Sequence, residues 1–181
     1  MNFTNEIAQI GTFQIDVYDR DHNFKQSKTI HNMIVQTGLE MIASIIANDK
    51  EINTPTKIKI SNSIVNGIVP ESPRDVTLND TDLVGDISQT NLFDDQDGIV
   101  IKDNTVTFQA TFLENQPQCN CFGIREVGLF NNEDVMLNRV TFEPITKYFD
   151  DIVKIRYTIV FNSQQGRYDT TAKESLTTDR G

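Results

Sequence analysis

The chain has 181 residues, 38% of them hydrophobic, at a mean hydropathy of -0.37, which suits one domain burying roughly 70% of its extended surface. Its 26 acidic residues against 16 basic ones leave a net charge of -10 with no Lys/Arg cluster, which argues against a nucleic-acid or anionic-membrane partner. No run approaches about 18 apolar residues, and Met1-Asn2-Phe3-Thr4-Asn5-Glu6 lacks a basic leader, so the expectation is a soluble protein kept in a cytoplasm until assembly.

In chain order the pattern is mostly β. Phe13, Ile15 and Val17 alternate with polar neighbours, Asp19-Arg20-Asp21-His22-Asn23 makes a turn, and residues 24–30 return as the hairpin partner. From Thr37 the spacing changes to three and four through Leu39, Ile42, Ala43, Ile45 and Ile46. This predicts a helix over about 38–48, with Thr37 as N-cap and Glu40 completing a capping box. Lys57, Lys59 and Ser61 alternate with Ile58 and Ile60 as a short strand. Residues 62–103 then show little periodicity, and are read either as a long excursion touching neighbouring subunits or as a solvated loop with short strands at 64–69 and 98–101.

Val106, Phe108, Ala110 and Phe112 alternate cleanly with Thr105, Thr107, Gln109 and Thr111. Cys119 and Cys121 stand two apart at a strand start, a spacing poorly suited to a disulfide, and are read as reduced. The segment Gly123-Ile124-Arg125-Glu126-Val127-Gly128-Leu129-Phe130 leads through a hairpin loop, Asn131-Asn132-Glu133-Asp134, into a strand over 135–140. Gly123 and Gly128 inside a strand pattern suggest a bulge. That bulge would turn Glu126 inward onto backbone amides of the following turn, while Arg125 and Glu126 read either as an ion pair between strands or subunits or as a solvated pair. In the last strand Val153, Ile155, Tyr157, Ile159 and Phe161 share a face opposite Lys154, Arg156 and Thr158. Residues 162–181 fall outside the single domain of 1–161 and read either as a disordered polar tail or, in an oligomer, as an arm lying on a neighbour with Tyr168 and Leu176 as its anchors.

Two of these blocks carry a resemblance. The order Ile124-Arg125-Glu126-Val127-Gly128-Leu129-Phe130, short polar turn, Met136-Leu137 and Arg139, Phe142 with Pro144-Ile145 and Lys147, then a long alternating strand, resembles bacteriophage tail-collar and tail-fibre attachment domains. Upstream, His31-Asn32-Met33-Ile34-Val35 with Gly38 and Ile42-Ala43 is similar to the opening of such domains, where a strand hands over to a helix. The resemblance covers about residues 10–162. The chain departs from it after Phe130, where the family commonly has Asp-x-Asp-Gly. It implies a virion structural protein, a homo-oligomer with other virion proteins as partners, located in the tail or neck after assembly in the host cytoplasm. The matching positions His31, Asn32, Gly38, Gly123, Ile124, Arg125, Glu126, Gly128, Leu129, Phe130, Pro144 and Lys147 become the assembly candidates.

A search for chemistry returns little. Asp19-x-Asp21-x-Asn23 imitates half a calcium loop but has Phe24 where glycine and Ile30 where glutamate are needed, so a polar turn is preferred. Asp94-Asp95-Gln96-Asp97-Gly98 could hold a weak calcium ion, and reads more simply as an Asp-Gly turn. Cys119-x-Cys121 lacks a second ligand pair, and neither His22 nor His31 stands at zinc spacing from it. His31 is assigned instead to ordering the turn into the helix. No nucleophile elbow or phosphate loop is present. The expectation is no enzyme, no metal and no cofactor.

The fold expected is therefore mainly β, an antiparallel sandwich of about seven to nine strands with one short helix, a long irregular loop and an extended C-terminal arm. The function expected is an attachment piece of a phage tail, collar or neck. The alternative is a receptor- or carbohydrate-binding sandwich, for which Tyr18, Tyr148 and Tyr168 would be the aromatic platform, and a glycan hydrolase is a third possibility that no carboxylate pair singles out.

Overall fold

The computed structural model describes residues 11–47 and 54–161; the expected C-terminal arm with Tyr168 and Leu176 lies outside them. Nine strands and one helix follow in chain order: β1 (Gly11–Tyr18), β2 (Phe24–Ile34), α1 (Gln36–Ile46), β3 (Pro55–Ser61), β4 (Ser88–Leu92), β5 (Ile99–Lys102), β6 (Thr105–Phe112), β7 (Cys121–Asn131), β8 (Met136–Tyr148) and β9 (Ile152–Val160). Their order in space is β4-β3-β7-β8-β2-β1-β9-β6-β5, antiparallel throughout. The fold is mainly β and sandwich-like, with two antiparallel sheets and a short helix.

Strand β2 makes two sheets out of one ribbon. Its residues 24–32 pair with β1, and Met33 and Ile34 pair with Arg139 and Asn138 of β8, respectively. The inner faces meet in a core that includes Phe13, Ile15, Val17, Ile58, Ile60, Phe112, Ile124, Leu129 and Ile155. Tyr157 is its largest fully buried side chain. Its ring lies 4.6 Å from that of Phe13 and 6.4 Å from that of Phe108, which in turn sits 5.3 Å from Phe93. Burial pushes the Tyr157 hydroxyl up to about 12, so it stays protonated and within 3.4 Å of the Asn32 amide.

Local chemistry departs from the sequence reading at four places. The helix runs over Gln36–Ile46, earlier than 38–48. Its N-cap is Val35 with no side-chain cap, because the Thr37 hydroxyl donates instead to the Met136 carbonyl at 2.7 Å. His31 sits inside β2, exposed, with Nδ1 3.3 Å from the Thr12 hydroxyl, and does not order the turn. The span 62–103 holds two strands, β4 and β5, and one isolated bridge from Val65 to Ile68 in place of a strand over 64–69. Cys119 and Cys121 are free, as expected.

Both acidic clusters are turns built by carboxylates. Asp19 accepts from the amides of Asp21 and Asn23 and from the Asn23 side chain, and these bonds, the Asn23 side chain's first, hold its carboxyl below the ordinary value. Asp94 accepts from Gln109, the Thr111 amide and the Thr111 hydroxyl, which fastens the β4–β5 corner onto β6. No cluster of metal-ligating side chains occurs among the described residues.

Candidate functional site

The sequence block Gly123 to Phe130 forms β7, and its irregularity decides what the outer face of the second sheet can carry. Pairing with β8 shifts register between Ile124 and Glu126, where the single residue Arg125 of β7 stands against Phe142, Glu143 and Pro144 of β8, and the alternation of β7 changes face at this point. Before this point Phe122 and Ile124 point into the sandwich; after it Val127 and Leu129 do. Such an irregularity in a paired strand reverses which side chains face the core beyond it. Glu126, Gly128 and Phe130 are thereby placed on the opposite face, against α1 and the long connection from β3 to β4.

That connection, residues 62–87, folds back over this face. Phe130, Met136, Val35 and Leu83 form a second small core beneath it. Glu126, fully buried, is its polar centre. One carboxylate oxygen, Oε2, accepts from the Val84 amide at 2.9 Å and from Arg139 Nε at 3.1 Å; Arg139 Nη2 lies 2.9 Å from the same oxygen, off the hydrogen-bond direction. The other oxygen accepts a short bond from the Ser63 hydroxyl. Arg139 Nη1 donates to Asp80 at 2.7 Å. Glu126 is thus buried as expected, but its amide partner is Val84, 42 residues away, and not the following turn.

The rest of the loop is tied to the same centre. Asp80 accepts from the amide and hydroxyl of Thr77. Burial pushes the Asp80 carboxyl up, and the Thr77 bonds and the Arg139 guanidinium outweigh it, so the net shift is downward from 3.8. Ser61 donates to the Val84 carbonyl at 2.7 Å, and Lys59 reaches Asp82 at 2.6 Å. Thr141 donates to the Arg74 carbonyl, and the Leu78 carbonyl receives the first helical amide, Gln36, at 2.8 Å. At the tip, Asn66 and Gly67 are both left-handed, and their amides bond to Asp86 at 2.9 and 2.8 Å. The anchors at Glu126, Arg139 and Ser61 are buried, and Ile68, Val69 and Leu78 are left exposed.

The assembly candidates separate by depth. Ile124, Glu126, Leu129 and Phe130 are buried, and Gly38 is packed so closely that an added Cβ would lie 1.9 Å from the Leu137 carbonyl oxygen. Arg125 is half-buried and makes no ion pair among the described residues, while Pro144 is exposed. Lys147 is 2% exposed, with its ammonium 3.4 Å from the Tyr148 carbonyl; burial pulls its pKa below 10.5 despite Asp151, Cys119 and Glu114 nearby. These motif positions mostly lie within the fold, and the surface they support was not legible from them. No family model, no curated protein and no solved structure matches the chain.

A shallow concavity lies at the other end of β7, near Cys121. Asn115, Gln118, Cys119, Asn120 and Phe149 line a shallow cavity open to solvent. The loop is fixed by its backbone, with the Asn115 amide on the Phe149 carbonyl at 2.8 Å and the Phe149 amide on the Asn120 carbonyl at 3.2 Å. The side-chain amides of Asn115, Gln118 and Asn120 are exposed beside the ring.

Proposed function

We propose that this protein is a structural component of a bacteriophage virion, in the tail, collar or neck, forming an oligomeric attachment piece for fibres or a neighbouring ring. No catalytic step and no cofactor belong to this reading. The observation that supports it is the buried Glu126–Arg139–Asp80 centre: a two-layer β scaffold holds a long connection rigidly from beneath while its outer side presents Ile68, Val69 and Leu78 to solvent. Docking through a preformed loop needs that division, because little ordering entropy is then lost on contact. The resemblance over residues 10–162 supplies the setting. Light scattering coupled to size exclusion tests it: a defined trimer, hexamer or larger ring is expected, and I68D/V69D is expected to weaken or dissociate it. A chain that stays monomeric alone and with purified tail components overturns the reading.

A carbohydrate-binding module is the second reading, favoured by the cavity beside Phe149, since sugars are held by an aromatic face together with planar amides. Of the expected tyrosine platform, Tyr148 is exposed near this end, Tyr18 is half-buried under Lys154, and Tyr168 is outside the described residues. Binding on a glycan array that is lost in F149A would establish it; an array without signal removes it.

A further inference from the structure

Strand β5 ends the sheet of β2, β1, β9, β6 and β5 with one flank of its backbone open. Its sequence is Ile99-Val100-Ile101-Lys102, and the three apolar side chains are 52%, 45% and 74% exposed. Edge strands are normally blunted by charge, proline or a covering segment, because their free amides and carbonyls template further pairing. Here a single lysine, at the strand's end, is the only such guard within it.

The hydrogen bonds of β6 show which groups of β5 are free. The Gln109 amide donates to the Gly98 carbonyl at 2.8 Å, while on the other flank of β6 the Phe161 amide donates to the Asn104 carbonyl at 2.8 Å. Bonded and non-bonded pairs alternate along an antiparallel ladder, so Val100 and Lys102 bond to Thr107 and Thr105, and Ile99 and Ile101 turn their amides and carbonyls outward. The side chains of Ile99 and Ile101, opposite Phe108 and Val106, lie on the core side of the sheet. Four backbone groups and two isoleucines thus meet water together.

This edge is complementary to itself. With a second β5 alongside and antiparallel, Ile99 of each copy can stand opposite Ile101 of the other, and the two Val100 residues then face each other across a two-fold axis. That register uses every outward group of both strands, in four hydrogen bonds. A slip of one residue sets outward groups against inward ones, and a slip of two leaves a single isoleucine pair. Because the axis is normal to the sheet, the four isoleucines share one face and cover one another. The charges agree: each Lys102 falls opposite Gly98 of the other copy, beside that copy's Asp97, and no lysine meets a lysine. Asp97 and Asp103 lie in the turns beyond the strand's ends. The far edge of the ribbon, β4, reads Ser-Gln-Thr-Asn-Leu and offers no matching apolar row for head-to-tail addition.

We infer that β5 pairs antiparallel with β5 of a second copy, Ile99 opposite Ile101, so that two sheets become one across a two-fold axis at Val100. The contact is isologous and closes at two copies. It is separate from the loop carrying Ile68 and Val69 and does not rest on the virion reading. Four residues a side make less than the standard interface of about 1,600 Å², so the dimer is weak and a covalent trap reads it.

The test places single cysteines in the full chain carrying C119S and C121S. At the axis a non-bonded pair holds its Cα atoms about 4.5 Å apart, within disulfide range, whereas Ile101 of one copy stands about 7–8 Å from Ile101 of the other. Under mild oxidation V100C is expected to give a disulfide dimer, and I101C about tenfold less of it. No dimer from V100C overturns the proposal, and equal yields from V100C and I101C overturn it as random collision. I99K added to the V100C chain puts a charge into both isoleucine pairs and should cut the yield about tenfold, while an unchanged yield counts against the pairing. The V100C yield is expected to persist in the I68D/V69D background, so this contact and the attachment reading fail separately.

Discussion

At the scale of single residues, the Glu126–Arg139 pair is the most sensitive point in the chain. Both groups are buried, and each satisfies the other's charge while binding the loop. Removing one partner leaves a desolvated charge, a loss of about 3–5 kcal/mol. E126A and R139A are therefore expected to lower stability by that amount in urea unfolding, and the double variant by much less than the sum. Lys147 has the opposite sign. Its ammonium is buried, its hydrogen bond among the described residues is a long one to the Tyr148 carbonyl, and burial outweighs the nearby Asp151, so K147M should raise stability by about 1 kcal/mol, measured as a higher Tm. Gly38 tests packing: in an exposed helix Gly→Ala gains about 1 kcal/mol, but here the new methyl meets the Leu137 carbonyl, and G38A should cost about 1–3 kcal/mol.

Among the elements, the loop 62–87 is expected to respond to acid before the sheets do. The Asp80 carboxyl is held below 3.8 in the fold, so its contribution is whole above the unfolded value and is lost as pH falls through the lower folded one. Exchange of the amides near Thr77 and Val84 should accelerate below about pH 4, relative to their intrinsic rates, while β6 and β9 stay protected. D80N should show the loosened loop already at neutral pH. The same scale explains what could be foreseen. Thr105–Phe112 and Ile152–Val160 were legible because each has one dry face, and alternation records that directly. Ser88–Leu92 was not, because Ser-Gln-Thr-Asn-Leu is a strand only through the neighbour it pairs with. Thr37 looked like a cap, and a carbonyl 99 residues away claimed its hydroxyl. The irregularity beside Arg125 could be read from two glycines, but the partners of Glu126 come from a loop that no local pattern ties to it.

For the whole molecule, the sandwich class and short helix followed from period and turn chemistry, and the division of surfaces did not. Which side of the 62–87 connection faces solvent depends on the bulge reversing β7, a tertiary fact. The open edge at β5 and the cavity beside Phe149 likewise arise where separate segments meet. An oligomer that uses Ile68 and Val69 leaves both of those regions free, so the attachment reading and the sugar reading are separable by variants at opposite ends of the molecule.

The position of β9 has a consequence in time. Strand β9, the last among the described residues, lies between β1 and β6, so Gly11 is paired with Ile159, 148 residues later. During synthesis at about 5–20 residues per second, β1 waits roughly 7–30 s for the strand that completes its sheet. Until then a ribosome holds the hairpin of β1 and β2 with one flank open. A nascent chain stalled before residue 152 should be cut readily by protease, and one released after residue 161 should resist it.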